Sequence, residues 1–217
     1  MGAGRAAEVA PREGSGHHLF VECDIRDMEM VRSAVEAVNS SLGGVDVLVN
    51  NAGVAAIKPF LDMDPDLPEW HRVVDVNLQG TVNMTYTVGK AMRHGGEGGL
   101  TINISSVGAV RCSASKELHQ VGYVASKAAV KHLTTSRAIE FAEYVIRMNC
   151  VMPGPTHSKL DEQLTPDYRE KIAEGLLDRH RGEPLEIGAL CVFFASAQGA
   201  HLNGDVMSHD GGFQCIN

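Results

Sequence analysis

The 217-residue chain lacks the features that define several classes of protein. No run approaches the roughly twenty apolar residues of a membrane-spanning helix, and no apolar stretch near its start resembles a signal peptide. It has no long basic run, and 19 Lys and Arg residues against 27 Asp and Glu give a formal net charge of −8. Nucleic acids and anionic membranes bind clustered positive charge, so we expect neither as a partner. The sequence therefore predicts a soluble, cytoplasmic protein.

Patterns typical of metal sites and disulfide frameworks are also missing. The ten histidines have no H-x-x-x-H spacing, and the five cysteines are odd in number with no C-x-x-C pair. We therefore expect no metal site and reduced, mostly buried thiols. The cysteines are Cys23, Cys112, Cys150, Cys191 and Cys215.

The residues that are present indicate one domain, 1–217, of alternating strands and helices. A hydrophobic content of 44% is ample for a core of the α/β type. This alternation predicts a parallel sheet with right-handed crossovers. The predicted strands lie near 19–23, 45–50, 100–105, 146–151 and 204–208, and the predicted helices near 27–42, 68–93, 122–144, 166–180 and 184–197.

Tyr123 and Lys127 form the most informative pair in the sequence. Within a helix, a spacing of four residues puts both side chains on one face. A nearby ammonium favours the phenolate, so we expect the pKa of Tyr123 to fall from roughly 10 towards a range useful for proton transfer. A Tyr and a Lys at this spacing can equally be a solvated surface pair, so other motifs must decide between a surface pair and a pair that transfers protons.

Two of the predicted strands end in small polar residues. One leads into Asn51-Ala52-Gly53, a turn that lets a flat ligand approach the backbone, and the next ends in Ser105-Ser106. In open α/β sheets, ligands bind at the carboxyl ends of the strands. The sequence therefore predicts a ligand site at this edge.

With these motifs in order, the sequence resembles the short-chain dehydrogenase/reductase family from about residue 17 onward. The resemblance implies a Rossmann-like doubly wound parallel sheet and an NAD(P)-dependent oxidoreductase. Such an enzyme interconverts a small-molecule carbonyl and a secondary alcohol by hydride transfer, and the family often forms homodimers or homotetramers. The matching motifs are Asn50-Asn51-Ala52-Gly53, Asn77, Ser105-Ser106, Tyr123-x-x-x-Lys127, Pro153-Gly154 and Asp210-Gly211-Gly212.

The resemblance implies catalytic roles for four residues. Tyr123 would be the general acid or base, and Lys127 would modulate its pKa and bind the ribose. Ser106 would orient the substrate carbonyl, with Ser113 as an alternative at a shorter spacing. Asn77 would hold a water that links the lysine to solvent, and its alternative role is that of a helix-interior amide bonded to backbone.

The same resemblance implies contacts to NAD or NADP. Asp24 would accept a hydrogen bond from the adenine amino group, Asn51 to Gly53 would pack along the adenosine, and the segment 153–158 would meet the nicotinamide. Without its neighbours, Pro153-Gly154 would be read as a strand-ending turn. The implied cofactor-binding residues are Asp24, Ile25, Asn51, Ala52, Gly53, Tyr123, Lys127, Pro153, Gly154, Thr156 and Ser158.

The chain departs from the family pattern at its start. The family opens with a strand, a glycine-rich turn that holds the pyrophosphate, and a helix. Only sixteen residues precede His17, so we expect a truncated fold without strands 1 and 2, in which 1–16 is poorly ordered or a remnant helix. Gly2-x-Gly4-x-x-Ala7 matches the glycine pattern only formally, because no strand precedes it. The residue that distinguishes NAD from NADP would lie in the missing part.

A second departure lies in the loop before Tyr123. Ser106 precedes Tyr123 by seventeen positions, whereas the family usually has thirteen, so a longer loop should reshape the substrate pocket. The two departures leave an alternative function open. The chain could be a catalytically silent relative that acts as a binding or regulatory subunit in a hetero-oligomer.

Overall fold

The computed structural model describes residues 16–112 and 119–215, in which strands and helices alternate. The strands are β1 (Val47–Asn50), β2 (Gly99–Ile104), β3 (Ile146–Pro153) and β4 (Val206–His209). The helices are α1 (Met28–Leu42), α2 (Pro68–Val74), α3 (Thr81–Gly95), α4 (Val121–Phe141), α5 (Pro166–Glu174) and α6 (Pro184–Ala195). A π-helical segment, Asp75–Gly80, joins α2 to α3.

The four strands form one parallel sheet in the order β1-β2-β3-β4. Asn50, Asn103, Cys150 and Val206 lie side by side across it. Helices connect each strand to the next. This is the parallel α/β sheet that the alternating pattern predicts and the Rossmann-like architecture that the resemblance implies. The prediction of the fold class is confirmed.

Hydrophobic cores cover both faces of the sheet. On one face α1 and α3 pack against the strands, and on the other face α6 contributes the fully buried Phe194. The first core consists of Val35, Leu48, Val88, Met92 and Ile146, and the second of Leu100, Ile102, Ile104, Val151 and Phe194.

The predicted strand at 19–23 is wrong. In the part of the chain that the structure describes, no strand precedes β1, and Phe20 is 74% exposed. A strand is stabilised by its neighbours, and no described strand pairs with this segment. Instead, the residues just after this segment are held against α3 by Asn83. The Nδ2 of Asn83 donates to the Ile25 and Arg26 carbonyls at 2.9 and 3.2 Å. The expectation for 1–16 lies, except for Gly16, outside the described residues.

Two helix predictions differ from the structure in extent. The predicted helix at 68–93 is divided into α2, the π-helical segment and α3. The helix predicted at 166–180 ends at Glu174, and Leu177 beyond it donates its backbone N–H to the Gly211 carbonyl. This contact with the loop after β4 cannot be read from helical periodicity, so the sequence overestimates the length of α5.

Within 16–112 and 119–215, no helix is long and apolar enough to cross a membrane. The same residues contain no group of three or more His, Cys, Asp and Glu side chains that could hold a metal ion. All five thiols are free, but only Cys150 is buried, while Cys112 and Cys215 are exposed. The expectation of mostly buried thiols is therefore wrong.

Candidate active site

A cavity of about 600 Å³ lies at the carboxyl ends of β1, β2 and β3. We call it the main cavity. Parallel strands bring their carboxyl ends to one edge, and segments far apart in sequence therefore meet there. The predicted site residues that line it are Asn51, Gly53, Ser106, Tyr123, Lys127, Pro153, Gly154, Thr156 and Ser158.

Lys127 is buried at the base of this cavity, with 5% of its surface exposed. Its Nζ donates to the Ile104 carbonyl at 2.7 Å, at the end of β2. Burial disfavours the charged ammonium, and it lowers the pKa of Lys127 to about 8. The lysine is thus close to its titration point near neutral pH.

Tyr123 lies one turn before Lys127 on α4 and borders the main cavity together with Ser106. Burial raises the pKa of Tyr123, and the neighbouring Ser106 side chain opposes that rise only in part. The expectation that Lys127 lowers this pKa is wrong for this structure. The Lys127 Nζ lies 5.8 Å from the centre of the tyrosine ring and is bonded to Ile104, so desolvation is the larger effect.

The adjacent hydroxyls of Ser105 and Ser106 have different partners. Ser105 Oγ donates to the Lys127 carbonyl at 2.7 Å and is buried. Ser106 Oγ accepts from the Gly108 backbone N–H at 3.1 Å, and its side chain lowers the pKa of Tyr123. Ser106 is therefore the serine that acts on the phenol, whereas Ser105 holds α4 against β2. The alternative, Ser113, lies outside the described residues.

Asn77 is almost fully buried in the π-helical segment. Its Nδ2 donates to the Val54 carbonyl at 2.9 Å and to Ser126 Oγ at 3.1 Å, and its Oδ1 accepts from the Val54 N–H at 2.8 Å. These bonds tie the turn after β1 to α4, in agreement with the alternative of an amide bonded to backbone. The role in holding a water stays a prediction.

Two glycines allow close approach of other groups in the main cavity. A Cβ atom on Gly53 would lie 3.4 Å from Asn77 Oδ1 and 3.5 Å from Lys127 Nζ, so its absence leaves the space above the lysine open. A Cβ atom on Gly154 would lie 2.6 Å from the Asp210 Cα, which is closer than backbone atoms allow. Gly154 therefore lets the loop after β4 pack on the end of β3.

Three of the predicted cofactor-binding residues, Asp24, Ile25 and Ala52, are not among the residues that line the main cavity. The Asp24 carboxylate pairs with the Arg26 guanidinium at 2.5 Å, and this hydrogen bond lowers the pKa of Asp24. An adenine amino group would have to compete with Arg26 for the same oxygens. The adenine contact of Asp24 stays a prediction.

A second, smaller cavity of about 200 Å³ adjoins the first and also borders Ser106, Tyr123 and Thr156. We call it the side cavity. Leu164, Tyr168 and Ile172 line it at four-residue intervals along α5 and the residues before it. These side chains belong to the segment 156–180 between β3 and α6, which we call the lid, and the sequence did not single them out. Their spacing was the available signal, because it places them on one helix face.

A short backbone contact fixes the start of this lid. Thr156 and Gly182 form an isolated parallel bridge, in which the His157 N–H donates to the Gly182 carbonyl at 3.0 Å. The Gly182 N–H donates in turn to the Pro155 carbonyl at 2.9 Å. The lid is therefore anchored at both ends beside the main cavity.

A parallel sheet whose carboxyl edge carries a Tyr-x-x-x-Lys helix defines an α/β protein of the Rossmann type. The family model described as enoyl-(acyl carrier protein) reductase matches residues 2–214. The chain therefore belongs to the short-chain dehydrogenase/reductase family.

Similar proteins include (5R,7aS)-5-hydroxy-7a-methyl-1-oxo-2,3,5,6,7,7a-hexahydro-1H-indene-carboxyl-CoA reductase of Mycobacterium tuberculosis. It is 35% identical over 94% of this chain and 75% of its own length. Among solved structures, a short-chain type dehydrogenase/reductase from Mycobacterium marinum has a TM-score of 0.85 and 32% identity, over 90% of this chain and 75% of its own. A gluconate 5-dehydrogenase from Burkholderia cenocepacia, solved with NADP and tartrate, has a TM-score of 0.82 and 29% identity, over 89% and 74%.

Proposed function

We propose that this protein is an NAD(P)-dependent oxidoreductase that interconverts a carbonyl and a secondary alcohol. The observation that carries the proposal is that Ser106, Tyr123 and the buried Lys127 line one cavity at the carboxyl edge of the sheet. A proton donor, a hydroxyl that orients an oxygen, and a buried cation at the edge of a parallel sheet suit proton transfer to a carbonyl oxygen.

The main cavity supports the assignment of the cofactor. Its volume of about 600 Å³ and the open space above Lys127 at Gly53 suit the nicotinamide and ribose half of a dinucleotide. Asn51, Thr156 and Ser158 also line it and would hold this half. NAD or NADP supplies the hydride chemistry. The gluconate 5-dehydrogenase structure that contains NADP adds support by analogy.

In the proposed mechanism, the side chains of this chain handle the proton and the orientation of the substrate. The Ser106 hydroxyl orients the substrate oxygen next to the Tyr123 Oη. During reduction the phenol gives its proton to that oxygen, and during oxidation the phenolate takes it back. The raised pKa keeps Tyr123 protonated at neutral pH, which suits the donor role. Lys127 would bind the ribose, and Asn77 would hold the relay water.

Exchanging the two serines for alanine tests this proposal. Ser106→Ala should lower kcat for ketone reduction by about 10²-fold, because the substrate oxygen loses one aligned donor. Ser105→Ala is the matched control, since its hydroxyl bonds to the Lys127 carbonyl, and its kcat should stay within about threefold of wild type. Oxidation of NADH and NADPH, followed by absorbance with a panel of cyclic and open-chain ketones, measures both.

Equal effects of the two substitutions would contradict the role of Ser106. Nucleotide binding without turnover of any ketone or alcohol in the panel would contradict the enzymatic proposal. It would favour the alternative of a catalytically silent binding or regulatory subunit.

We also propose that the protein forms a homodimer or homotetramer through the outer face of α3 and α4. An open groove of about 530 Å³ runs between these helices, with Val82, Tyr86, Leu133 and Phe141 among its lining residues. Small residues such as Ala129 would allow close helix packing. A monomeric mass in sedimentation at micromolar concentration would contradict this proposal.

A further inference from the structure

The side cavity combines an apolar wall with one cationic side chain. Its apolar lining includes Val107, Leu164, Ile172 and Phe213, and it borders Ser106 and Tyr123. Arg111 is the single charged side chain among the described residues that line it. A group held in this cavity would therefore meet the proposed proton donor, an apolar surface and a guanidinium.

Arg111 is half-buried, and the described residues use only part of its hydrogen-bonding capacity. Its Nη1 donates to the Phe213 carbonyl at 2.6 Å, and its Cζ lies 5.2 Å from the centre of the Phe213 ring. A guanidinium has five N–H donors. Within 16–112 and 119–215, no ion pair joins Arg111 to a carboxylate.

Asp210, which lies in the same loop as Phe213, already has partners. Its carboxylate accepts from the Gly212 and Gln214 backbone N–H groups at 3.1 Å, and from Gln214 Nε2 at 2.8 Å. Asp210 does not line the side cavity. Described residues therefore leave the positive charge of Arg111 without a neutralising partner.

The chemistry of the cavity discriminates between neutral and anionic substrates. A neutral apolar substrate would remove water from the guanidinium without replacing its hydrogen bonds, which is unfavourable. A carboxylate would pair with its planar fork in the bidentate geometry that arginine favours. The side cavity, at about 200 Å³, is smaller than the main cavity, at about 600 Å³, and this favours a compact substrate.

We propose that the substrate is a compact ketone or secondary alcohol that carries a carboxylate, and that Arg111 binds this carboxylate in the side cavity. The proposal rests on the proposed oxidoreductase function, because it places the reacting oxygen between Ser106 and Tyr123. Arg111 is then a specificity-determining residue. It acts on the choice of substrate and takes no part in the proton transfer.

Matched acids and amides test the proposal. The probes are 3- and 4-oxocyclohexane-1-carboxylate and the corresponding carboxamides, which have nearly the same shape without the charge. With wild-type protein, kcat/KM for at least one acid should exceed that for its amide by tenfold or more. Arg111→Gln should bring this ratio close to one, and Arg111→Lys should restore part of it, because lysine keeps the charge but loses the fork.

Arg72→Gln is the control variant. Arg72 also donates to one backbone carbonyl beside the side cavity, that of Ala55 at 3.0 Å, but it does not line the cavity. Its replacement should leave the acid-to-amide ratio unchanged. If Arg111→Gln lowers the rates of acids and amides equally, Arg111 only anchors the turn at Phe213. The inference is then overturned, while the proposed function stands.

Direct binding separates the failure of this inference from the failure of the proposed function. Isothermal titration measures the affinity of the two acids for wild type, Arg111→Gln and Tyr123→Phe. If no probe is turned over, at least tenfold weaker acid binding by Arg111→Gln alone still supports the carboxylate site. If wild type binds neither acid, or if wild type and Arg111→Gln bind them equally well, the proposed carboxylate site at Arg111 is overturned.

Discussion

Tyr123→Phe is expected to lower kcat for carbonyl reduction by about 10³-fold while nucleotide affinity changes less than threefold. General acid catalysis by a positioned side chain typically contributes 10²–10⁴-fold. The substitution removes only the phenolic oxygen, so the aromatic ring still fills its place between the two cavities. The Ser106 hydroxyl stays in place in this variant, since it accepts from the Gly108 N–H.

Steady-state rates of NADH and NADPH oxidation, with nucleotide titration alongside, check this result. Tyr144→Phe is the matched control, because Tyr144 packs beside the core of α3 and lies away from the main cavity. It should keep wild-type kcat. A Tyr123→Phe variant that keeps more than a tenth of wild-type turnover would show that another group supplies the proton.

Lys127→Met is expected to stabilise the protein below pH 8 by about 2 kcal/mol. Burial lowers the pKa of Lys127 from 10.5 to about 8, which corresponds to roughly 3 kcal/mol against the charged form. Loss of the hydrogen bond to the Ile104 carbonyl offsets about 1 kcal/mol of the gain. The residue proposed to assist catalysis is thus one that destabilises the fold at neutral pH.

The sign of the pH dependence follows from the lowered pKa. Between about pH 8 and 10.5 the unfolded chain binds the lysine proton and the folded chain does not. The free energy of unfolding of the wild-type protein therefore increases as the pH rises through this range. The advantage of Lys127→Met should therefore be constant below pH 8 and shrink above it. Urea unfolding of both proteins at a series of pH values measures the difference.

Lys131→Met provides the comparison for this series. Lys131 lies one turn further along α4 and is partly exposed, so its replacement should change stability by less than 0.5 kcal/mol, as is usual at the surface. A stability difference between wild type and Lys127→Met that does not vary between pH 7 and 10 would contradict the lowered pKa of Lys127.

The sequence predicted the elements whose signals are local. Four apolar runs became β1 to β4, because β-branched residues in short segments separated by helices have one common solution, a parallel sheet. The run at 19–23 has the same local signal but is no strand, since a strand also needs a hydrogen-bonding neighbour. The π-helical segment around Asn77 gave no sequence signal, because the turn that it holds lies 23 positions away at Val54.

The motifs predicted which residues meet at the candidate site, but they did not predict the properties of the site that depend on burial. The sequence brought Tyr123, Ser106 and Lys127 to one edge of the sheet, and the structure has all three at the main cavity. The direction of the Tyr123 pKa shift was wrong, because spacing along a helix does not measure desolvation. Arg111 was not singled out, since its described partner, Phe213, is 102 positions away in the chain.

The measurement that tests the central claim most directly is isothermal titration of the 217-residue protein with NADH and NADPH. We expect saturable binding of at least one nucleotide, weakened tenfold or more in Gly53→Val, whose added methyl groups would fill the space above Lys127. Gly188→Ala is the control, because Gly188 also borders the main cavity but a Cβ there meets no atom within 4 Å. Binding that is absent, or equal in wild type and Gly53→Val, would contradict a nicotinamide site in this cavity.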